Sequence, residues 1–114
     1  MKRIEVVIRN DRLNNVVTAI KEANVSGLTV IQSRGRGAGE GPIVEGSRGI
    51  TQYIDDFNSG NTVFTVVDDS LVDSIVSAIA NAAHTGVKGD GKIIVTNVEK
   101  LVDIRNKTKD EQAL

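Results

Sequence analysis

Apolar and polar residues alternate from the start of the chain. Across Lys2 to Arg9, Ile4, Val6 and Ile8 fall on one side and Arg3, Glu5 and Val7 on the other. Period two with β-branched residues predicts a strand with one fully buried face. The period then lengthens. Leu13, Val16, Val17, Ile20 and Ala23 follow the i, i+3, i+4 spacing of an amphipathic helix, with Asn10 and Asp11 as N-cap candidates and a stop near Asn24. Leu28 to Ser33 and Thr62 to Val67 predict the second and third strands. Asp68, Asp69 and Ser70 offer caps for a second helix, whose buried stripe is Val72, Ile75, Val76, Ile79, Ala80 and Ala83. Lys92 to Thr96 predicts a fourth strand. The tail from Asn97 is polar apart from Val98, Leu101, Val102 and Ile104, and Lys107 to Leu114 are expected to fray.

The order β-α-β-β-α-β predicts an α+β, ferredoxin-like fold, an antiparallel sheet with two helices on one face. The other face then needs cover or water. Small domains of this type often cover it by self-association, so a homo-oligomer is expected.

Two stretches break the periodicity. From Gly35 to Gly60 the chain holds seven of its 11 glycines and its only proline, Pro42. Connections this long are uncommon in a compact domain and are usually functional or disordered. Arg34, Arg36 and Arg48 are candidate anion contacts there, though solvated arginines fit the same composition. Ile50, Tyr53, Ile54 and Phe57 predict that the returning limb regains strand or turn structure. The second stretch is Thr85-Gly-Val-Lys-Gly-Asp-Gly-Lys92. Glycine lets backbone N–H groups turn inward toward a ligand, and successive inward N–H groups make a concave anion site beside Lys88 and Lys92. An ordinary helix-to-strand loop with solvated lysines has the same composition.

Composition narrows the chemistry. At 114 residues the chain suits one domain, and a net charge of −1 supplies no field for nucleic acid or anionic lipid. Cysteine is absent, so disulfides, thiolate ligands and a cysteine nucleophile are excluded, in keeping with a cytoplasmic protein. The chain enters a strand pattern without a signal-peptide core, and no apolar run is long enough to span a bilayer. Aromatics are only 3%, too few for the stacking surface of an RNA-binding sheet. No His/Asp/Glu cluster has metal-ligand spacing, and the single histidine, His84, suits a helix end. Gly86 and Gly91-Lys92 have Walker spacing, but Ile93 stands where a hydroxyl is required, ahead of a strand. The residues read as an anion-binding protein and not as an enzyme.

The chain resembles the PII nitrogen-regulatory signal proteins over nearly its whole length. The resemblance rests on Met1-Lys-Arg-Ile-Glu5, on Gly27-Leu-Thr-Val30 followed by Gly35-Arg-Gly37, and on Thr85-Gly-Val-Lys-Gly-Asp-Gly-Lys-Ile93. It implies a single domain over 1–114 that forms a homotrimer with ATP or ADP in clefts between subunits. Residues 36–60 would be the T-loop that contacts a transporter or nitrogen-assimilation enzyme, 84–92 the B-loop, and 97–114 the C-terminal loop. By position, Thr29, Gly35, Arg36, Gly37, Gly89, Asp90, Gly91, Lys92 and Arg105 would line the nucleotide, with Val7 and Val66 near the base.

This sequence departs from the family pattern in its effector region. Ala38-Gly39-Glu40-Gly41 follows Gly37 where 2-oxoglutarate sensors usually have Arg-Gln-Lys-Gly. The lysine usual at the returning base of the T-loop is replaced within Asn58-Ser59-Gly60-Asn61. Gly37, Gly39 and Gly41 would therefore border an effector site that lacks the usual contacts for Mg²⁺ and 2-oxoglutarate. Each lost charge-assisted contact costs ~1.5–3 kcal/mol. Asp103 in Asp103-Ile104-Arg105 stands where the family has an arginine, which predicts weaker ATP binding. Tyr53 lies one residue late for the modifiable tyrosine, so Tyr53, Ser47 and Thr51 are all candidate modification sites. The alternatives are a relative that reads another small anion such as bicarbonate, a small ferredoxin-like phosphatase, and a purely structural trimer.

Overall fold

The structure is a computed structural model that describes residues 1–37, 43–45, 52–54 and 57–114. Strand β1 (Lys2–Arg9) leads through a 3-10 turn (Asn10–Arg12) into helix α1 (Leu13–Glu22), followed by β2 (Thr29–Gly35). A short hairpin, β3 (Ile43–Glu45) with β4 (Gln52–Ile54), lies between β2 and β5 (Asn58–Val67). A second 3-10 turn (Asp69–Leu71) opens α2 (Val72–Ala83), and β6 (Gly91–Asn97) completes the main sheet. That sheet is antiparallel in the order β2-β5-β1-β6, the ferredoxin-like arrangement.

The predicted alternation on β1 fixes the layers. Ile4, Val6 and Ile8 are buried and join Val63 and Val67 of β5 in one core with Val16 and Ile20 of α1 and Ile75, Ile79 and Ala83 of α2. Both helices therefore lie on this face. Burying such side chains contributes ~1.5–3 kcal/mol each. Two polar groups enter the core with partners. Thr65 donates its hydroxyl to Gly27 O at 2.6 Å, and Asn61 Nδ2 donates to Asn10 Oδ1 at 2.8 Å.

Several local expectations change. Asn10 and Asp11 do not cap α1, which has no side-chain cap. Asn10 instead bridges Asn61 and Ser59, while Asp11 pairs with Arg9 at 3.2 Å. Asp68 does cap, accepting the Ser70 N–H at 3.0 Å and hydroxyl at 2.6 Å, and these bonds hold its carboxyl below the usual range. Strand β5 starts four residues earlier than predicted, because backbone pairing of Asn58–Asn61 with Gln32–Gly35 continues through polar side chains.

The end of the chain is ordered, against the expectation of fraying. Asp110 and Leu101 exchange bonds, Asp110 N–H to Leu101 O at 2.7 Å and Leu101 N–H to Asp110 Oδ1 at 3.1 Å. A bridge joins Val102 to Lys109, and Asp103 N–H donates to Thr108 O at 2.9 Å. The tail is a closed hairpin. It has few apolar residues and is held by backbone bonds and by polar side chains that accept from the backbone, which hydrophobic periodicity does not reveal.

Candidate functional site

The glycine loop between α2 and β6 is built around an aspartate. Gly86, Gly89 and Gly91 all have positive φ, at 81°, 100° and 108°. At Gly91 the need is also steric, since a Cβ would sit 1.8 Å from Val7 O. The loop folds back so that Asp90 Oδ2 accepts the N–H groups of Thr85 at 2.7 Å and Gly86 at 2.9 Å. The Thr85 hydroxyl donates to Asp90 Oδ1 and in turn accepts the Val87 N–H at 3.2 Å. Stabilised first by the Thr85 hydroxyl and then by these N–H groups, the Asp90 carboxyl is lowered to about 2. His84 ends α2, and its Nδ1 lies 3.9 Å from Asp90 Oδ2. The inward N–H groups predicted from the glycines are present, and the anion they hold at Thr85 and Gly86 is the chain's own.

Register places the remaining predicted residues. Lys92 lies directly across from Val7, which in turn faces Thr62 and then Ile31, so these four form a row on the sheet face away from the helices. Thr29, Phe64, Glu5 and Ile94 form the next row, and Val66 pairs with Arg3 nearer the other end. Val7, Gly91 and Lys92 are thus neighbours at the β1/β6 edge. Thr29 and Gly35 lie on β2 at the opposite edge, with Arg36 and Gly37 just beyond it. Three strand spacings of ~4.8 Å separate the edges, roughly 14 Å. Arg105 stands on the tail hairpin, which leaves β6 from the end opposite the glycine loop. One chain therefore divides these groups between opposite edges of the sheet.

The helix-free face is apolar at its centre and exposed: Ile31 is 48%, Ile94 45% and Val7 37% accessible. Arg3 stacks over Phe64 at 3.9 Å from the ring centroid and pairs with Glu5 at 3.4 Å. A groove of about 770 Å³ runs between α1 and α2 on the outer side. Its lining includes Asn14, Thr18, Glu22 and Asn81 and has no cation, so it offers phosphate no neutralising charge.

At the base of the long connection, where the sequence lacks a lysine, Asn58 pairs with Gly35 and Ser59 accepts from Asn10 at 3.0 Å. Arg34 lies over the Phe57 ring at 5.4 Å. Gly39, Gly41, Ser47 and Thr51 lie outside the described residues. The backbone of Tyr53 is in β4, paired with Val44. Among the described residues no cluster of three His, Cys, Asp or Glu side chains could hold a metal ion, and no helix is long and apolar enough to cross a membrane. Two structural contributors escaped the sequence reading, Thr85 as partner of Asp90 and Asn10 as bridge to β5. The first had a signal in a hydroxyl and an acid flanking two glycines, Gly86 and Gly89, and the second had none.

Comparison with known proteins bears on this geometry. The family model for nitrogen regulatory protein P-II matches residues 1–108. The chain is 41% identical to the nitrogen regulatory protein P-II of Azospirillum brasilense over 114 residues, all of both chains. It is 40% identical to that of Nostoc punctiforme and 38% identical to that of Haemophilus influenzae, again over the full length of each pair.

Proposed function

Because the chain belongs to the nitrogen regulatory protein P-II family, whose members are trimeric signalling regulators and not enzymes, we propose that it binds ATP or ADP between subunits and passes their state to a target protein. The observation that carries this reading is the separation of the anion-binding groups. Val7, Gly91 and Lys92 stand at one sheet edge and Thr29 and Gly35 at the other, which favours a neighbouring copy bringing the second set. The exposed apolar patch of Ile31, Val7 and Ile94 favours a homotrimer that covers this face. Lys92 supplies the nearest phosphate charge, Arg105 the tail's contribution, and Val7 and Val66 apolar surface for the base. The connection from 36 to 60 is the T-loop through which a transporter or nitrogen-assimilation enzyme is contacted, in the cytoplasm. Signalling requires the nucleotide to favour one loop state over another.

A second reading concerns the effector. The base of the T-loop holds a hydrogen-bonded Asn10–Ser59–Asn61 group and no lysine among Asn58–Asn61, which favours a small anion other than 2-oxoglutarate, bicarbonate being one candidate. Both readings meet one set of calorimetric titrations. ATP and ADP bind the wild-type protein, and Lys92→Ala weakens them by about ten- to a hundredfold, the loss of one charge-assisted contact. Addition of Mg²⁺ and micromolar 2-oxoglutarate leaves the ATP affinity unchanged. Absence of nucleotide binding overturns the first reading, and tightening by 2-oxoglutarate overturns the second.

A further inference from the structure

We infer that Asp90 is a positioning residue of the glycine loop and not a ligand of the phosphate or its metal, and that its negative charge opposes the anion its geometry prepares the site to hold. This rests on the nucleotide reading and assigns one residue a role within it. Both carboxylate oxygens of Asp90 are turned into the loop. Oδ2 takes the Thr85 and Gly86 N–H groups at 2.7 and 2.9 Å, and Oδ1 takes the Thr85 hydroxyl. The same hydroxyl accepts from Val87 N–H at 3.2 Å, so three consecutive backbone donors converge on one Thr–Asp unit. That is the geometry of a backbone nest filled from inside.

Closing the loop at Asp90 sets where the last strand of the sheet begins. Gly91 takes φ of 108° against the Val7 carbonyl, where no side chain fits, and β6 starts there. Lys92 is then fixed beside Val7 on the helix-free face. Without the Thr85–Asp90 closure, three glycines would let the loop sample many conformations, and Lys92 would lose its fixed start. An amide fits the same bonds. An asparagine oxygen accepts both N–H groups, and its NH₂ donates to the Thr85 oxygen.

The test is ATP titration with EDTA and again with Mg²⁺, on the wild type, Asp90→Asn, Asp90→Ala and Thr85→Val, with amide exchange at Gly86 measured on the unliganded proteins. Asp90→Asn is expected to keep Gly86 protected and to bind ATP as tightly as the wild type or up to about threefold tighter in EDTA, since a like charge is gone while the bonds stay. Asp90→Ala is expected to lose that protection and bind about tenfold more weakly, with Thr85→Val between them. Asp90→Asn as weak as Asp90→Ala overturns the inference, because the charge itself would then be needed. Selective loss of Mg²⁺-dependent binding in Asp90→Asn does the same. Tighter binding by Asp90→Ala also overturns it, making the carboxylate a competitor that phosphate displaces. No ATP binding by the wild type overturns the nucleotide reading, and this inference with it. ATP binding that every Asp90 variant leaves unchanged overturns this inference alone.

Discussion

The two faces of the sheet carry similar apolar side chains and have opposite surroundings. Ile4, Val6 and Ile8 point toward α1 and α2 and are at most 3% accessible. One residue along, Val7 points the other way, with Ile31 and Ile94 beyond it, and all three remain open in the single chain. A strand whose second face were meant for water would place polar groups there. Here the second face keeps Ile31, Val7, Phe64 and Ile94, and two of its charged residues, Arg3 and Glu5, pair with each other. The contrast teaches that one face makes the fold and the other is shaped for assembly.

The comparison is sharpest where the two faces meet in sequence. Ile4→Ala removes a fully buried side chain opposite Val95 and Thr65 and is expected to destabilise by ~2–5 kcal/mol in denaturant unfolding. That is a large share of the ~5–15 kcal/mol available to a domain of this size. Ile94→Asp, on the other face, is expected to keep the fold and lose self-association, so sedimentation returns a monomer with an unchanged far-ultraviolet spectrum. Unfolding by Ile94→Asp, or an intact assembly in its presence, would break the division between the faces.

The smallest effect concerns the loop at the edge of the open face. Asp90 has its carboxyl lowered from 3.8 to about 2 in the folded chain. A depressed pKa contributes stability that is full above the unfolded value and is lost as pH falls through the folded value. The wild-type melting temperature should therefore fall more steeply than that of Asp90→Asn between about pH 4 and pH 2. Asp68 and Asp69, also lowered, add to the slope in both proteins. Parallel curves would mean that the Asp90 bonds do not persist in solution.

Much of the fold was legible in the chain itself. Period two on Lys2–Arg9 and the stripes on α1 and α2 located the core residues, because burial on one side leaves a repeat that matches backbone geometry. The family signature around Thr85–Lys92 marked the glycine loop. Polar segments were less legible. The start of β5 at Asn58 is held by backbone bonds and the hairpin from Leu101 to Asp110 by backbone and polar side-chain bonds, which leave no hydrophobic period.

The sequence alone determined which residues are apolar, where the chain must turn, and that an acid sits among the glycines beside Lys92. Only the tertiary structure decided the strand order that puts Lys92 and Thr29 on opposite edges, and the direction in which Asp90 points. Periodicity records how each residue meets solvent or core within its own element. Strand order and the aim of a loop carboxylate depend on contacts between elements distant in sequence, and those contacts exist only once the chain has closed on itself.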